Sequence, residues 1–488
     1  LAEVVRTGRR AGGKCRPLAR VRKVVRWATV DHPINKGVCE HFPGTAKARA
    51  RRYLGLVRDQ HPLVLLACVA VLAGACRKDK DGSPPVVDIL LPGEAFTLSV
   101  PDSLAIRVRV QDDRRVESLW IALASVDGVP VAPPITVGVG AASAVIDRHL
   151  AITDERLPSG TYRIIARASD GTNERSAFRA ITVLGAPLRL RSVFIAPPPG
   201  TSPANILRID SVGTLSTFTT VADLNGAVGH AGSQHLVLAG GASEPLRAIP
   251  AAPFANPWQV ANQGTGTRPY FTGLRLDPLD GRLYFGTEDG FIRGYMGSGA
   301  QTFTARTMPG HRSMATALVG DRLVSEQVPD GQPDRRLAVF AHPSGDRLAD
   351  FPLDVSVVHV DRLTNERVLL FGNRGGQGVL RDWHVPSGTS SELRVVTEGP
   401  IAAVQRLDAN IWVIALPGRL VRFSHAGNSV SELAGGVAAT ALGYESVTNT
   451  LYTGAGSQLL LMDPVSGSIR NQYSLPQEVG FVMPLLNR

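Results

Sequence analysis

The chain has 488 residues, 52 Lys+Arg against 42 Asp+Glu for a net charge of +10, and four cysteines. The charge is lopsided: residues 1–76 hold 15 Lys+Arg and 4 Asp+Glu, net +11, and the remainder holds 37 against 38, net −1. A nucleic-acid footprint needs surplus cation on the folded part, so nucleic acid is excluded as a partner; and since every cysteine lies at or before residue 76, the later chain has neither an internal disulfide nor a thiol nucleophile.

Stability must therefore come from burial, and about 410 residues suffice for two or three real cores. Gly (50) and Pro (34) are plentiful and aromatic residues scarce, at 6%, which suits many short strands joined by turns.

Residues 1–53 are rich in Arg, Ala and Gly and carry no sustained period. The first Met is Met296. We expect this segment to be mistranslated upstream sequence or disordered, with the true start near Leu54, Leu56 or Val57 and Arg58 as a positive flank. The alternative is a basic arm for nucleic acid or anionic lipid. Cys15, Cys39 and His41 fit no zinc spacing.

Residues 63–75 are apolar and uncharged, and too short to span a bilayer, which takes roughly 20 residues. They end in Ala73-Gly-Ala-Cys76. This order resembles the lipobox of a bacterial lipoprotein signal peptide, although Ala73 stands where Leu is commonest. The resemblance implies a signal peptide over 54–76, cleavage between Ala75 and Cys76, and lipidation of Cys76. It also implies a cell-envelope address, at the outer membrane, with membrane lipid as a partner. Residues 77–85 are charged and then Pro-rich, and read as a tether. Within them Lys78-Asp-Lys-Asp81 weakly resembles a surface-export signal.

From Val86 the hydrophobic period becomes two. Leu104, Ile106, Val108 and Val110 alternate with polar or small residues, as do Tyr162, Ile164, Ala166 and Ala168, the pattern of strands with one face buried. Seven runs fit, at about 86–91, 103–111, 116–125, 130–138, 142–150, 160–169 and 176–184. Seven short strands in about 100 residues predict a β-sandwich over 86–185. The stretch Pro158-Ser-Gly-Thr-Tyr-Arg-Ile-Ile-Ala-Arg-Ala-Ser-Asp-Gly171 resembles the penultimate strand of bacterial Ig-like and fibronectin-like modules, which most often serve as spacers.

Residues 186–488 repeat. One apolar motif recurs with anchors at Leu207, Leu246, Ile292, Leu337, Leu380, Leu420 and Leu460, spaced by 39, 46, 45, 43, 40 and 40 residues. A period of 40–45 with four short strands per unit predicts a β-propeller. Each anchor strand should be followed by a turn with Gly at positive φ: Gly213, Gly345, Gly388, Gly427 and Gly467. Residues 191–220 lack a first strand and 478–486 supply a lone one, so the two ends should complete one blade. That predicts seven blades, with six or eight left open by the irregular stretch 240–270. Leu276-Asp-Pro-Leu-Asp-Gly-Arg-Leu-Tyr-Phe-Gly286 and Met462-Asp-Pro-Val-Ser-Gly467 resemble blades of the WD40-like, NHL and quinoprotein-like superfamily. The expected fold class is thus all-β.

Chemistry is thinly marked. There is no Gly-x-Ser-x-Gly elbow, His-Glu-x-x-His or Gly-rich phosphate loop. His342, His384 and His425 stand near the turn after the anchor strand, where they should bond the turn backbone. Trp258, Trp383 and Trp412 occupy different repeat positions, which argues against a quinone cofactor. No catalytic residue, metal or cofactor is assigned. Asp277, Asp361 and Asp408 follow the first strand of three units. They cap turns or form a polar ring at one channel mouth. The favoured function is a non-enzymatic lipoprotein that presents the propeller to a glycan, a peptide or another envelope protein. The rival is a secreted hydrolase or lyase with its site in the channel.

Overall fold

The computed structural model describes residues 82–331 and 334–488. Segments 1–53 and 54–76, Cys76, and most of the tether lie outside the described residues. The described chain is entirely β.

The first part is a six-stranded sheet of β1 (Val86–Leu91), β2 (Thr97–Ser99), β3 (Asp102–Ala124), β4 (Ile135–Ile152), β5 (Gly160–Ser169) and β6 (Glu174–Leu184), ordered β1-β3-β5-β6-β2 with β4 on β3. The runs expected at 103–111 and 116–125 are one strand, β3. Those at 130–138 and 142–150 merge into β4, which begins only at Ile135. The reason is a change of layer within a strand. The first half of β3 pairs with β1 and its second half with β5, and β4 follows both. The register slips between Gln111 and Val116, where the charged run Asp112-Asp-Arg-Arg115 crosses from one layer to the other. Leu104, Ile106, Val108 and Val110 of the first half and Leu119, Ile121 and Leu123 of the second all enter one core.

Residues 190–486 form seven four-stranded sheets, a seven-bladed propeller. The first strands of blades two to seven are Gly226–His230, Phe271–Leu276, His311–Val319, Ser356–Arg362, Ala403–Arg406 and Ala441–Glu445. Blade one takes its first strand, Phe481–Leu486, from the chain end and pairs it with Leu190–Ala196 from the start, as the half-units predicted. Second strands such as Leu283–Thr287 are buried throughout, because both faces meet a neighbouring blade. Outer strands such as Ile469–Ser474 are mostly exposed. All seven anchors lie on third strands and are buried.

The turn glycines do more than turn. Gly213, Gly345, Gly388 and Gly467 have positive φ. A Cβ on Gly345 would meet the Thr304 carbonyl, and one on Gly467 the Leu433 carbonyl. In each case the turn of one blade packs on the outer strand of the blade before it. At Gly427 the expected φ is instead taken by Asn428, at 41°. The Asn428 amide donates to the Leu393 carbonyl of blade five, 3.1 Å, so the same seam is closed by a hydrogen bond.

The six-stranded sheet is clamped to the closing blade. Glu155, in the β4–β5 loop, accepts from Arg189 (2.5 Å) and from the Asn487 amide (3.1 Å). Fully buried Asn487 also accepts from the Arg189 backbone, 3.0 Å. Arg156 stacks over Phe254 at 4.9 Å in blade two.

Two outcomes follow. Deleting 478–488 removes Val482, Met483 and Leu485 from the core, each worth roughly 1.5–3 kcal/mol, and opens the edge of Leu190–Ala196 to pairing. The truncated chain should aggregate or lose its cooperative melt in calorimetry; an unchanged transition would refute closure. Gly345→Ala adds αL strain of roughly 1–2 kcal/mol to overpacking of about 1–3 kcal/mol. Gly418→Ala, at φ 71° with open space around it, adds only the strain. Denaturant melts should rank Gly345→Ala clearly below Gly418→Ala.

Candidate functional site

Every first strand runs the same way, so the ends of all seven converge on one mouth of the channel. A half-enclosed pocket of about 150 Å³ lies there, built from blades three to six. Its polar lining is Arg275, Asp277, Asp361, Arg362 and Arg406, and its apolar walls include Leu279, Leu318 and Leu363.

Asp361, 6% exposed, is the hub. Its Oδ1 accepts from Arg275, 2.8 Å, reaching across from blade three, and its Oδ2 from the Trp412 indole of blade six, 2.6 Å. His359 Nε2 lies 3.1 Å from Oδ2, off the line of a hydrogen bond. Arg275 also donates to the Val360 carbonyl. Burial alone would raise the Asp361 carboxyl, but His359, Arg275 and Trp412 together hold it well below the usual carboxylate range. It therefore stays ionised.

Asp277 is 4% exposed and fully engaged. It caps its own turn at the Leu279 N–H, 2.9 Å, and takes the Leu318 N–H of blade four, 3.0 Å. Asp408 is exposed, caps its own turn at Asn410 and Ile411, and does not line the pocket. The structure thus gathers Asp277 and Asp361 and leaves Asp408 out. In place of a ring of acids the mouth presents three guanidinium groups. Those arginines carried a signal in the repeats: Arg275-Leu-Asp277, Arg362-Leu363 and Arg406-Leu-Asp408 stand at the ends of the first strands of blades three, five and six. Trp412 and His359 carried none, since their partner is set by blade packing.

The histidines differ from expectation too. His342 Nε2 accepts from Arg282 of blade three (2.9 Å) and meets the Tyr284 hydroxyl at 3.0 Å. His384 Nδ1 meets the Ser387 hydroxyl at 2.7 Å, and His425 lies 3.9 Å from Asp382 of blade five. They bond side chains, two of them across a blade seam, because adjacent units stack their turns. Sequence reasoning also missed Glu326, 1% exposed, which accepts from Arg335 (2.7 Å) and from the Val357 N–H of blade five (3.0 Å). Burial pushes this carboxyl up. Among the described residues, no three His, Cys, Asp or Glu side chains gather as metal ligands.

Next to the mouth, His230 bridges blades two and three. Its Nε2 bonds the Gly281 carbonyl, 2.9 Å, and its Nδ1 accepts the Ser233 N–H, 3.1 Å. Both nitrogens suit the neutral ring only. Burial lowers the pKa of His230, His235 and His342 below 6.5. The unfolded chain then binds more protons below 6.5, so this stability is present above pH 6.5 and is lost as pH falls through that value. The melting temperature should drop between about pH 7.5 and pH 5.5. His230→Asn should melt lower at every pH, with a shallower slope; an unchanged slope would count against this origin.

No family model matches the chain, and no curated protein matches it. Among solved structures, a chain of a nidogen/laminin complex is 11% identical, with a TM-score of 0.37 over 61% of this chain and 99% of that one. A protein from Lactobacillus plantarum is 13% identical, with a TM-score of 0.44 over 60% and 99%. A quinonprotein alcohol dehydrogenase-like protein from Bacteroides thetaiotaomicron is 11% identical, with a TM-score of 0.41 over 82% and 99%. Likeness at this level carries no functional inference.

Proposed function

We propose that the chain is an envelope lipoprotein, anchored in the outer membrane through acyl chains on Cys76, whose propeller binds a ligand at the channel mouth without transforming it. Residues 86–185 serve as an Ig-like spacer in this reading. The partner is a glycan, a peptide or another envelope protein. One observation supports binding over catalysis: the acids at the mouth are engaged. Asp361 is held ionised by Arg275, His359 and Trp412, and Asp277 accepts two backbone N–H groups. A hydrolase or lyase needs a carboxyl or imidazole free to exchange a proton with substrate, and neither acid is free to do so.

The anchor rests on the lipobox resemblance. Each buried methylene is worth ~0.8 kcal/mol, and two or three acyl chains hold a protein on a membrane for long times. Cys76→Ser should abolish incorporation of labelled palmitate and processing by the lipoprotein peptidase. Wild-type protein recovered from the periplasm without detergent would sink the anchor. For binding, the purified chain is screened on glycan and peptide arrays beside Leu279→Trp. Leu279 is 49% exposed at the pocket wall, so the indole fills the mouth without disturbing a core. Leu279→Trp should lose the array signal by tenfold or more; a retained signal would move the site elsewhere.

A further inference from the structure

We propose that this mouth is an oxyanion site, taking a carboxylate or phosphate group of the ligand between Arg362 and Arg406. The inference rests on the binding reading above and adds a ligand class to it.

The argument is one of charge and commitment. Three guanidinium groups and two carboxylates line the pocket. Asp361 is engaged by Arg275, His359 and Trp412, and Asp277 by two backbone N–H groups. Neither acid reaches Arg362 or Arg406. Arg406 donates only to carbonyls: Asp408 at 2.7 Å, Arg362 at 3.0 Å and Ala409 at 3.2 Å. Its face lies 5.1 Å from the Trp412 ring. These contacts hold the guanidinium in place and leave its charge unmatched. The side chain of Arg362, half-buried, has no hydrogen bond or ion pair among the described residues.

The opposite face shows the contrast. A pocket of about 240 Å³ there also holds arginines, but the half-buried Arg268 and Arg312 pair with Glu288 and Asp330, and Arg306, which has no such partner among the described residues, is exposed to solvent. At the mouth, two cations without an acid partner line one pocket beside Leu279, Leu318 and Leu363. A planar fork presents paired N–H donors at a carboxylate or phosphate, and low-dielectric walls strengthen that attraction. The site therefore fits an acidic group carried on a short apolar stem.

The test is calorimetric titration of the purified chain with inorganic phosphate, with succinate, and with uncharged succinamide, at low and high salt. Saturable 1:1 binding of phosphate or succinate, absent for succinamide and weakened by salt, is expected; which of the two binds tells phosphate from carboxylate. Arg362→Gln should weaken it tenfold or more. That side chain has no hydrogen bond or ion pair to lose, so the variant should keep its fold, which an unchanged melting temperature checks. Arg406→Gln should weaken it similarly, and Arg347→Gln, on an exposed outer strand, should not. No binding by either anion, or binding indifferent to Arg362→Gln, overturns the inference. Should array ligands still be lost in Leu279→Trp while Arg362→Gln binds them normally, the binding site stands and its anion preference falls.

Discussion

Everything in this propeller hangs on one pairing, Phe481–Leu486 against Leu190–Ala196. Without it, Leu190–Ala196 would lose its ladder partner and leave backbone donors and acceptors unpaired beside the blade cores. Here the pairing joins residues nearly 300 positions apart, so the loop-closure cost is met only when the last blade forms. The same end of the chain carries Asn487, which bonds both Arg189 and Glu155. Ring closure and the contact with the six-stranded sheet therefore share one corner of the molecule, beside the end of Phe481–Leu486.

Around the ring the blades are held by two devices of different character. Apolar second and third strands give wide, non-directional burial. Narrow polar ties then set the register of one blade against the next: Asp277 to Leu318, Glu326 to Val357, His230 to Gly281, and Asn428 to Leu393. Asp277, Glu326 and His230 are buried and would be costly if misplaced, so they select one stacking from many that hydrophobic contact alone would accept. The turn glycines work in the same direction, by letting one blade approach the carbonyls of its neighbour.

The mouth shows how such ties shape a site. Arg275 spans two blades to reach Asp361, and Trp412 reaches it from a third. These contacts make the carboxylate a structural anion. The arginines beside it are left with carbonyl partners or none. A surface that would otherwise be neutral becomes locally cationic in a chain whose charge after residue 76 is near zero.

The all-β class, the seven-unit period and the completion of one blade by both termini were legible in the sequence. They rest on local alternation, on spacing, and on the half-units left over at 191–220 and 478–486. The kinked continuity of β3 and β4 was not, because a strand that changes layers keeps its alternation and only loses register. Nor was the fate of the three aspartates. Asp277, Asp361 and Asp408 were all expected just after a first strand, yet Asp361 lies within Ser356–Arg362 while the other two follow theirs; one ties two blades, one anchors an ion cluster and one only caps its turn. Their partners come from other blades, between 41 and 86 residues away for Asp277 and Asp361. Repeat position is a local property that the order of residues carries. Which side chain meets which across a seam depends on how blades of unequal length stack, and only the folded ring decides that.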